Sequence, residues 1–315
     1  MNKHDPVPPA AMRRRGHQGE IRKEYGMKKK RDYILTLILS VFFLAGLSVM
    51  MYPVLSNWWN RNMSSHTIAS YRESVEKTDD SQTEALLAAA RDYNERLARK
   101  KAPFSEFEEV SGYDSVLNVS GTGIMGYVSI PNINVELPIY HGTREGVLQI
   151  AAGHIQGSSL PIGGANTHAV ISGHRGLPSA KLFTDLDQIV EGDLFTVNVL
   201  GEVLTYEVEN IYIVLPNDTS KLAVIPGGDY VTLMTCTPYG VNSHRLLIRG
   251  RRIADLSARR VKVPADALQI DRLKVMPFVF LPLLLLLNLY WFISGKRRRR
   301  IRIDRSIIRQ LPEQK

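Results

Sequence analysis

Two long stretches without a charged side chain bracket this chain and restrict what can lie between them. From Tyr33 to Asn60 there is no Asp, Glu, Lys or Arg, and Tyr33 to Leu55 is apolar apart from a few Thr, Ser and Tyr. Coiled at about 1.5 Å per residue, those positions reach roughly 34 Å, enough to cross a hydrocarbon core of about 30 Å. A second uncharged run lies between Lys274 and Lys296, with Tyr290 and Trp291 where an aromatic belt would fall. Met50, Met51, Tyr52 and Pro53 follow the first run in place of a small-residue cleavage site, which favours a retained anchor over a removed signal peptide. The basic block Lys296 to Arg300 behind the second run is a stop-transfer flank rather than the border of a buried core helix. With Lys28 to Arg31 ahead of the first run, the positive-inside tendency predicts both termini in the cytoplasm and the middle outside.

The charge distribution follows this division. The formal net charge is +9, yet residues 1–32 carry +6 and residues 294–315 carry +7, which leaves −4 for everything between. Basic tails beside membrane spans point to anionic membrane lipids as partners, and nucleic acid is not expected. The middle is long enough for one domain with its own core. A single cysteine, Cys236, rules out an internal disulfide, so that core must carry the stability.

Between the two runs the texture changes once. Leu86, Ala90, Tyr93 and Leu97 recur at helical spacing, so Ser64 to about Lys101 is predicted helical, with the Asp79, Asp80, Ser81 cluster as a break or cap. After Pro103 the chain reads as short β-rich runs: Gly126 to Ile130, Val135 to Tyr140, His168 to Ser172, Leu194 to Val199, Val203 to Leu215, Tyr230 to Cys236 and Arg245 to Ile253. Prolines fall between or at the edges of these runs, and few long helices interrupt them. The expected fold class is mainly β, a barrel of six to eight strands.

Chemistry-bearing residues gather in two places. Thr167 to Gly176 runs from a strand into a glycine-flanked turn that presents His174 at a strand end. Cys236 closes one strand and Arg245 opens the next, so antiparallel pairing brings thiol and guanidinium to the same end of the sheet. An ordinary thiol, with a pKa near about 8.5, is only about 3% ionised at pH 7 and needs help to act as a nucleophile. An imidazole can protonate a leaving amine, and a permanently charged guanidinium can hold a developing oxyanion. These three groups suit acyl transfer from a peptide bond. Pattern alone leaves other readings open. Cys236 also fits a buried filler, His168 and His244 compete with His174, and Arg245 fits as the first of a charged strand face with Arg249 and Arg251.

The segment Leu117 to Ile253 resembles a sortase of class C, the pilus-assembling type. The resemblance rests on Gly126-Tyr-Val-Ser-Ile-Pro131, Leu137-Pro-Ile-Tyr-His-Gly-Thr143, Gly153-His154, Ser159-Leu-Pro-Ile-Gly-Gly164, Thr167 to Leu177, Lys181-Leu-Phe-Thr184 and Thr232 to Leu247. Its most specific part is Thr-Leu-x-Thr-Cys ending at Cys236, with an arginine nine residues on and His-Arg-Gly upstream. The resemblance implies an eight-stranded sortase β-barrel with N-terminal helices and two flanking transmembrane helices. In it His174, Cys236 and Arg245 match the catalytic residues, and Thr235 and Pro216 to Asp229 help line the peptide groove. It further implies cleavage of a Leu-Pro-x-Thr-Gly-like signal between Thr and Gly through a thioester, with pilin or surface-protein substrates and an acceptor lysine amine. No cofactor and no metal enter that chemistry. The implied location is the cell membrane of a Gram-positive bacterium, crossed twice, with the catalytic domain outside.

The expected organisation is then a basic tail (1–32), a transmembrane helix (33–55), a helical arm with a lid (56–112), the barrel (113–254), a linker (255–274), a second transmembrane helix (275–293) and a second basic tail (294–315). Pilus-type sortases carry a lid with an Asp-Pro-aromatic motif, and here the matching residues are Ala102-Pro103-Phe104. The aspartate that would pair with the arginine is absent, so the expected lid (Pro103, Phe104) is held mainly by its ring, with Glu106, Glu108 or Glu109 as substitute anchors. Two other functions stand beside pilin polymerisation: attachment of surface proteins to peptidoglycan, and an inactive pilin scaffold.

Overall fold

A computed structural model of the chain describes residues 10–253. The expected linker (255–274), second span (275–293) and C-terminal tail (294–315) lie outside the described residues. Two compact units divide between Tyr52 and Pro53. The first is the beginning of a single long helix, α1 (Ala10–Glu76). From Tyr33 its mean hydropathy reaches 2.5, and Leu37, Phe42 and Val49 are 65%, 73% and 75% exposed. A helix this long and apolar, with its large side chains exposed, is a candidate membrane anchor.

The second unit holds the rest of α1, a second helix and the sheet. Ser64, Ile68 and Tyr71 are buried along one side of α1. The Tyr71 hydroxyl donates to Met125 O and accepts from Leu200 N, both at 2.9 Å. After Glu76 the chain breaks, and the Asp79 carboxylate accepts from Gln82 N at 2.7 Å, capping α2 (Asp80–Ala98). The buried side of α2 is Leu87, Ala90, Tyr93, Asn94 and Leu97, with Leu86 only partly covered beside it. Asn94 grips the backbone of Leu160 by both its amide atoms, accepting from Leu160 N at 2.7 Å and donating to Leu160 O at 3.3 Å. A short helix α3 (Pro103–Glu106) follows, with proline in its first turn where the missing N–H costs nothing.

Eight strands then close into a barrel: β1 (Ile124–Ile130), β2 (Val135–His141), β3 (Ala152–His154), β4 (Thr167–Ser172), β5 (Leu194–Val199), β6 (Glu202–Val214), β7 (Asp229–Thr237) and β8 (His244–Arg252). Their order around the barrel is β1-β2-β3-β4-β7-β8-β6-β5, and β1 pairs with β5 to complete it. The β2/β3 and β4/β7 pairs are parallel, and the other pairs are antiparallel. One strand, β3, escapes the sequence reading: three residues, Ala-Gly-His, carry neither alternation nor β-branching. A short helix α4 (Glu145–Leu148) fills the connection between β2 and β3. Alternate residues of every strand enter one apolar core, among them Met125, Val128, Ile139, Ile171, Val197, Leu204, Leu233 and Ile248. Each such side chain contributes about 1.5–3 kcal/mol on burial, the source of stability expected of a chain with one free cysteine.

Candidate active site

The site is built on three neighbouring strands, β4, β7 and β8. On β7, Val231, Leu233 and Thr235 point into the barrel, so Thr232, Met234 and Cys236 point out. The antiparallel register of β7 and β8 places Cys236 directly opposite Arg245. Directly opposed residues on one face have Cβ atoms about 4.5–5.5 Å apart, so thiol and guanidinium are neighbours by backbone geometry alone. The Arg245 guanidinium spends its Nη1 on Asn242 O and His244 O, at 3.3 and 3.2 Å.

His174 arrives from the other side. The parallel β4/β7 register runs up to Ser172 opposite Met234. Two further bonds carry it on: Gly173 N donates to Met234 O at 3.0 Å, and the Thr235 hydroxyl donates to Gly173 O at 2.8 Å. His174 is therefore delivered alongside Cys236. It is 29% exposed as a side chain, and its Nε2 lies 3.7 Å from Glu145 Oε2 on α4. Glu145 was not legible in sequence, since it reaches the site from another connection with no motif around it.

Thr235 has a place different from the one expected. It is 1% exposed and its hydroxyl is turned inward to Gly173, so it braces the turn before His174 from beneath the groove instead of lining it. The physical reason is strand alternation, since Thr235 neighbours Cys236 and must face the other way.

The outer faces of β4, β7, β8 and β6 form a floor that is roofed by the β6–β7 connection. Val170, Leu222 and Leu247 make a small apolar cluster there, and Phe104, Ile155, Tyr212, Val214 and Met234 pack against it. Phe104 of α3 thus lies on the same face as Cys236. Its seat is Gly157, at φ +94°, where an added Cβ would fall 2.8 Å from Pro103 O and 2.9 Å from Phe104 Cα. Only glycine allows that approach. Of the acidic residues considered as anchors, Glu109 pairs with Lys100, within its own segment.

The competing assignments resolve into distinct environments. His168 shares the outer face of β4 but is buried, with Nδ1 2.9 Å from Ala223 O and Nε2 2.7 Å from Thr232 Oγ1. A carbonyl only accepts, so Nδ1 carries the proton and Thr232 donates to Nε2. Burial holds the imidazole below its ordinary pKa, helped by Arg249. His168 is a clamp on the β6–β7 connection. Arg249 is 13% exposed, pairs with Glu209 at 3.3 Å, and has Tyr212 and Tyr230 rings 5.3 and 5.2 Å from its guanidinium carbon. The three alternating arginines therefore do not form one solvated face. His244 accepts or donates locally, its Nδ1 lying 2.9 Å from Ser243 Oγ.

A thiol flanked by an imidazole and a guanidinium on the outer face of a strand is equipped for acyl transfer at a backbone carbonyl. Comparison with known proteins points the same way. A family profile for the sortase domain matches residues 128–253. Sortase C1 from Streptococcus agalactiae is 46% identical over 60% of this chain and 99% of that one, with a TM-score of 0.55. Sortase C-1 from Streptococcus pneumoniae is 42% identical over 61% and 100% of the two chains, also with a TM-score of 0.55. Sortase D of Bacillus subtilis is 32% identical over 131 residues, and the match spans 41% of this chain and 63% of that protein. Nearly full coverage of two class C enzymes at such identity, on a shared closed barrel, places the chain in the sortase family of cysteine transpeptidases, within class C.

Proposed function

We propose that the chain joins a sorting-signal polypeptide to an amine through a thioester on Cys236, and that the amine is a pilin lysine. The carrying observation is the register: Cys236 stands opposite Arg245, and the Gly173 tethers deliver His174 beside it. In the first half-reaction the thiolate attacks the Thr carbonyl of a Leu-Pro-x-Thr-Gly-like signal, and Arg245 turns from its loop carbonyls to the oxyanion. His174 gives its proton to the departing Gly amine, and the C–N bond breaks as the C–S bond remains. In the second, the lysine amine attacks the thioester, His174 takes a proton from it, and Cys236 leaves as thiolate. A thioester is more open to amines than to water, which suits ligation over hydrolysis.

The class C relatives support a pilin partner: the structure of one of them, sortase C of Streptococcus pneumoniae, bears on that enzyme's pilin substrate specificity. Phe104 is read as the ring of a lid that rests on the groove floor and must lift for a peptide to enter. The first uncharged helix holds the barrel at the outer face of the cell membrane, with a second span behind it and basic tails against anionic lipid. Mass spectrometry of the full chain with a sorting-signal peptide tests the reading. A peptide adduct on Cys236 that passes to a pilin lysine is expected, and an adduct that passes only to water or to a peptidoglycan amine would overturn the acceptor assignment.

A further inference from the structure

The segment that follows His174 is gripped at two places. At its base, Phe183 N donates to His174 O at 3.1 Å and Gly176 N donates to Thr184 Oγ1 at 3.1 Å. The Phe183 ring stands so close to Gly173 that a Cβ there would fall 2.7 Å from it. At its tip the grip comes from α1, far away in sequence. Ser56 Oγ and Asn60 Nδ2 both donate to Ser179 O, at 2.9 and 2.7 Å, and Lys181 N donates to Asn57 Oδ1 at 3.0 Å. Ala180 and Leu182, between and beside these bonds, are buried.

These three α1 residues recur at helical spacing on one side, ahead of buried Ser64. Further along, α1 docks through the apolar side chain of Ile68 and through Tyr71, whose ring is buried and whose hydroxyl bonds Met125 O and Leu200 N. Around residues 56–60 the inner side is polar and directional. An amide side chain that meets a particular carbonyl or N–H fixes where a backbone lies, whereas an apolar contact only covers it.

We propose that Ser56, Asn57 and Asn60 are positioning residues for His174. They fix residues 179–181, and through Phe183 and Thr184 they hold the turn that sets the imidazole beside Cys236. The proposal rests on the reading of His174 as the proton carrier. Released from α1, Ser179 O and Lys181 N lose these directional partners while the burial of Ala180 and Leu182 and the Arg175–Asp187 and Lys181–Asp185 ion pairs remain, and a displacement of about 1 Å at a reacting group can cost up to about a hundredfold in rate.

The test uses the full chain in lipid nanodiscs with a sorting-signal peptide and an amine acceptor. The double variant Asn57→Ala/Asn60→Ala is expected to lose about tenfold in kcat with KM within about twofold, as befits a group acting only on the chemical step. Exchange of the Lys181 amide proton should quicken in the same protein. Asn57→Asp retains an acceptor for that N–H, so its kcat should stay within about twofold of the parent, where a general loss of packing would show no such difference. Faster Lys181 exchange with unchanged kcat would overturn the proposal, as would a loss confined to KM. Should the double variant fail to fold, Asn57→Ala alone carries the same readouts with a loss of about threefold. His174→Ala run alongside separates the two ideas: full turnover there removes the reading of the site and the strap with it, while lost turnover there beside an unaffected strap variant removes the strap alone.

Discussion

If Phe104 covers the groove, removing its ring should speed chemical access to Cys236 by an amount the structure sets. The ring packs on Val170, Leu222 and Leu247 but is only half-buried, and its backbone rests on Gly157. Full burial of such a side chain contributes about 1.5–3 kcal/mol, so the half-buried ring falls at the lower end, near about 1.5 kcal/mol. That corresponds to about tenfold in the ratio of open to closed lid. When closing is faster than alkylation, the labelling rate follows the open population. A bulky maleimide should therefore modify Phe104→Ala about ten times faster than the parent at the same pH, with equal rates once both are unfolded. Gly157→Ala reaches the same end without touching the ring. Its new methyl would lie 2.8 Å from Pro103 O and 2.9 Å from Phe104 Cα, at a φ of +94° that alanine resists. Labelling should accelerate there as well, and equal rates in the parent and both variants would refute the idea that this segment shields the thiol.

Arg245→Lys keeps the charge but loses the planar fork of donors, so kcat/KM should fall by about a hundredfold or more, and near-parental turnover would remove the guanidinium from the oxyanion role. His168→Ala releases Ala223 O and Thr232 Oγ1 from their clamp, and steady-state kinetics should show KM rising several-fold with kcat held; an unchanged KM would mean that the β6–β7 connection is fixed by other contacts. His154 is fully buried and its pKa is lowered from 6.5 to about 4, chiefly by burial. The unfolded chain then binds more protons between those two values, so stability falls as the pH drops from 6.5 to about 4 and levels off below, by about 3 kcal/mol in all. Melting temperatures of the parent should drop across that window, those of His154→Gln should drop less, and parallel curves would show that acid sensitivity lies elsewhere.

The strands that carry the site were legible because their chemistry coincides with their alternation. Val231, Leu233 and Thr235 mark the inner face of β7, and a simple hairpin between Cys236 and Arg245 sets the register. The same alternation contains the correction for Thr235, which follows from its being adjacent to the nucleophile. What the sequence could not show are meetings between distant segments. Glu145 near His174, the seat of Phe104 on Gly157, and the α1 bonds to Ser179 and Lys181 leave no periodic trace, because each needs only one residue at one place. Strand β3 was missed for a related reason: its three residues are strand only because β2 and β4 flank them. In the buried polar clamp, Arg249 reads in sequence as part of a charged strand face and His168 as a competitor of His174, since burial is decided by the connection that folds over them.

Because β7 lies between β4 and β8, a gain or loss of one residue anywhere from Tyr230 to Thr235 would turn the sulfur into the hydrocarbon interior and bring a threonine hydroxyl out in its stead. No compensating change in a neighbouring stave repairs such a slip. Length variation is therefore confined to the connections at either end of that stave, so new peptide preferences can arise there while the reacting atoms keep their address.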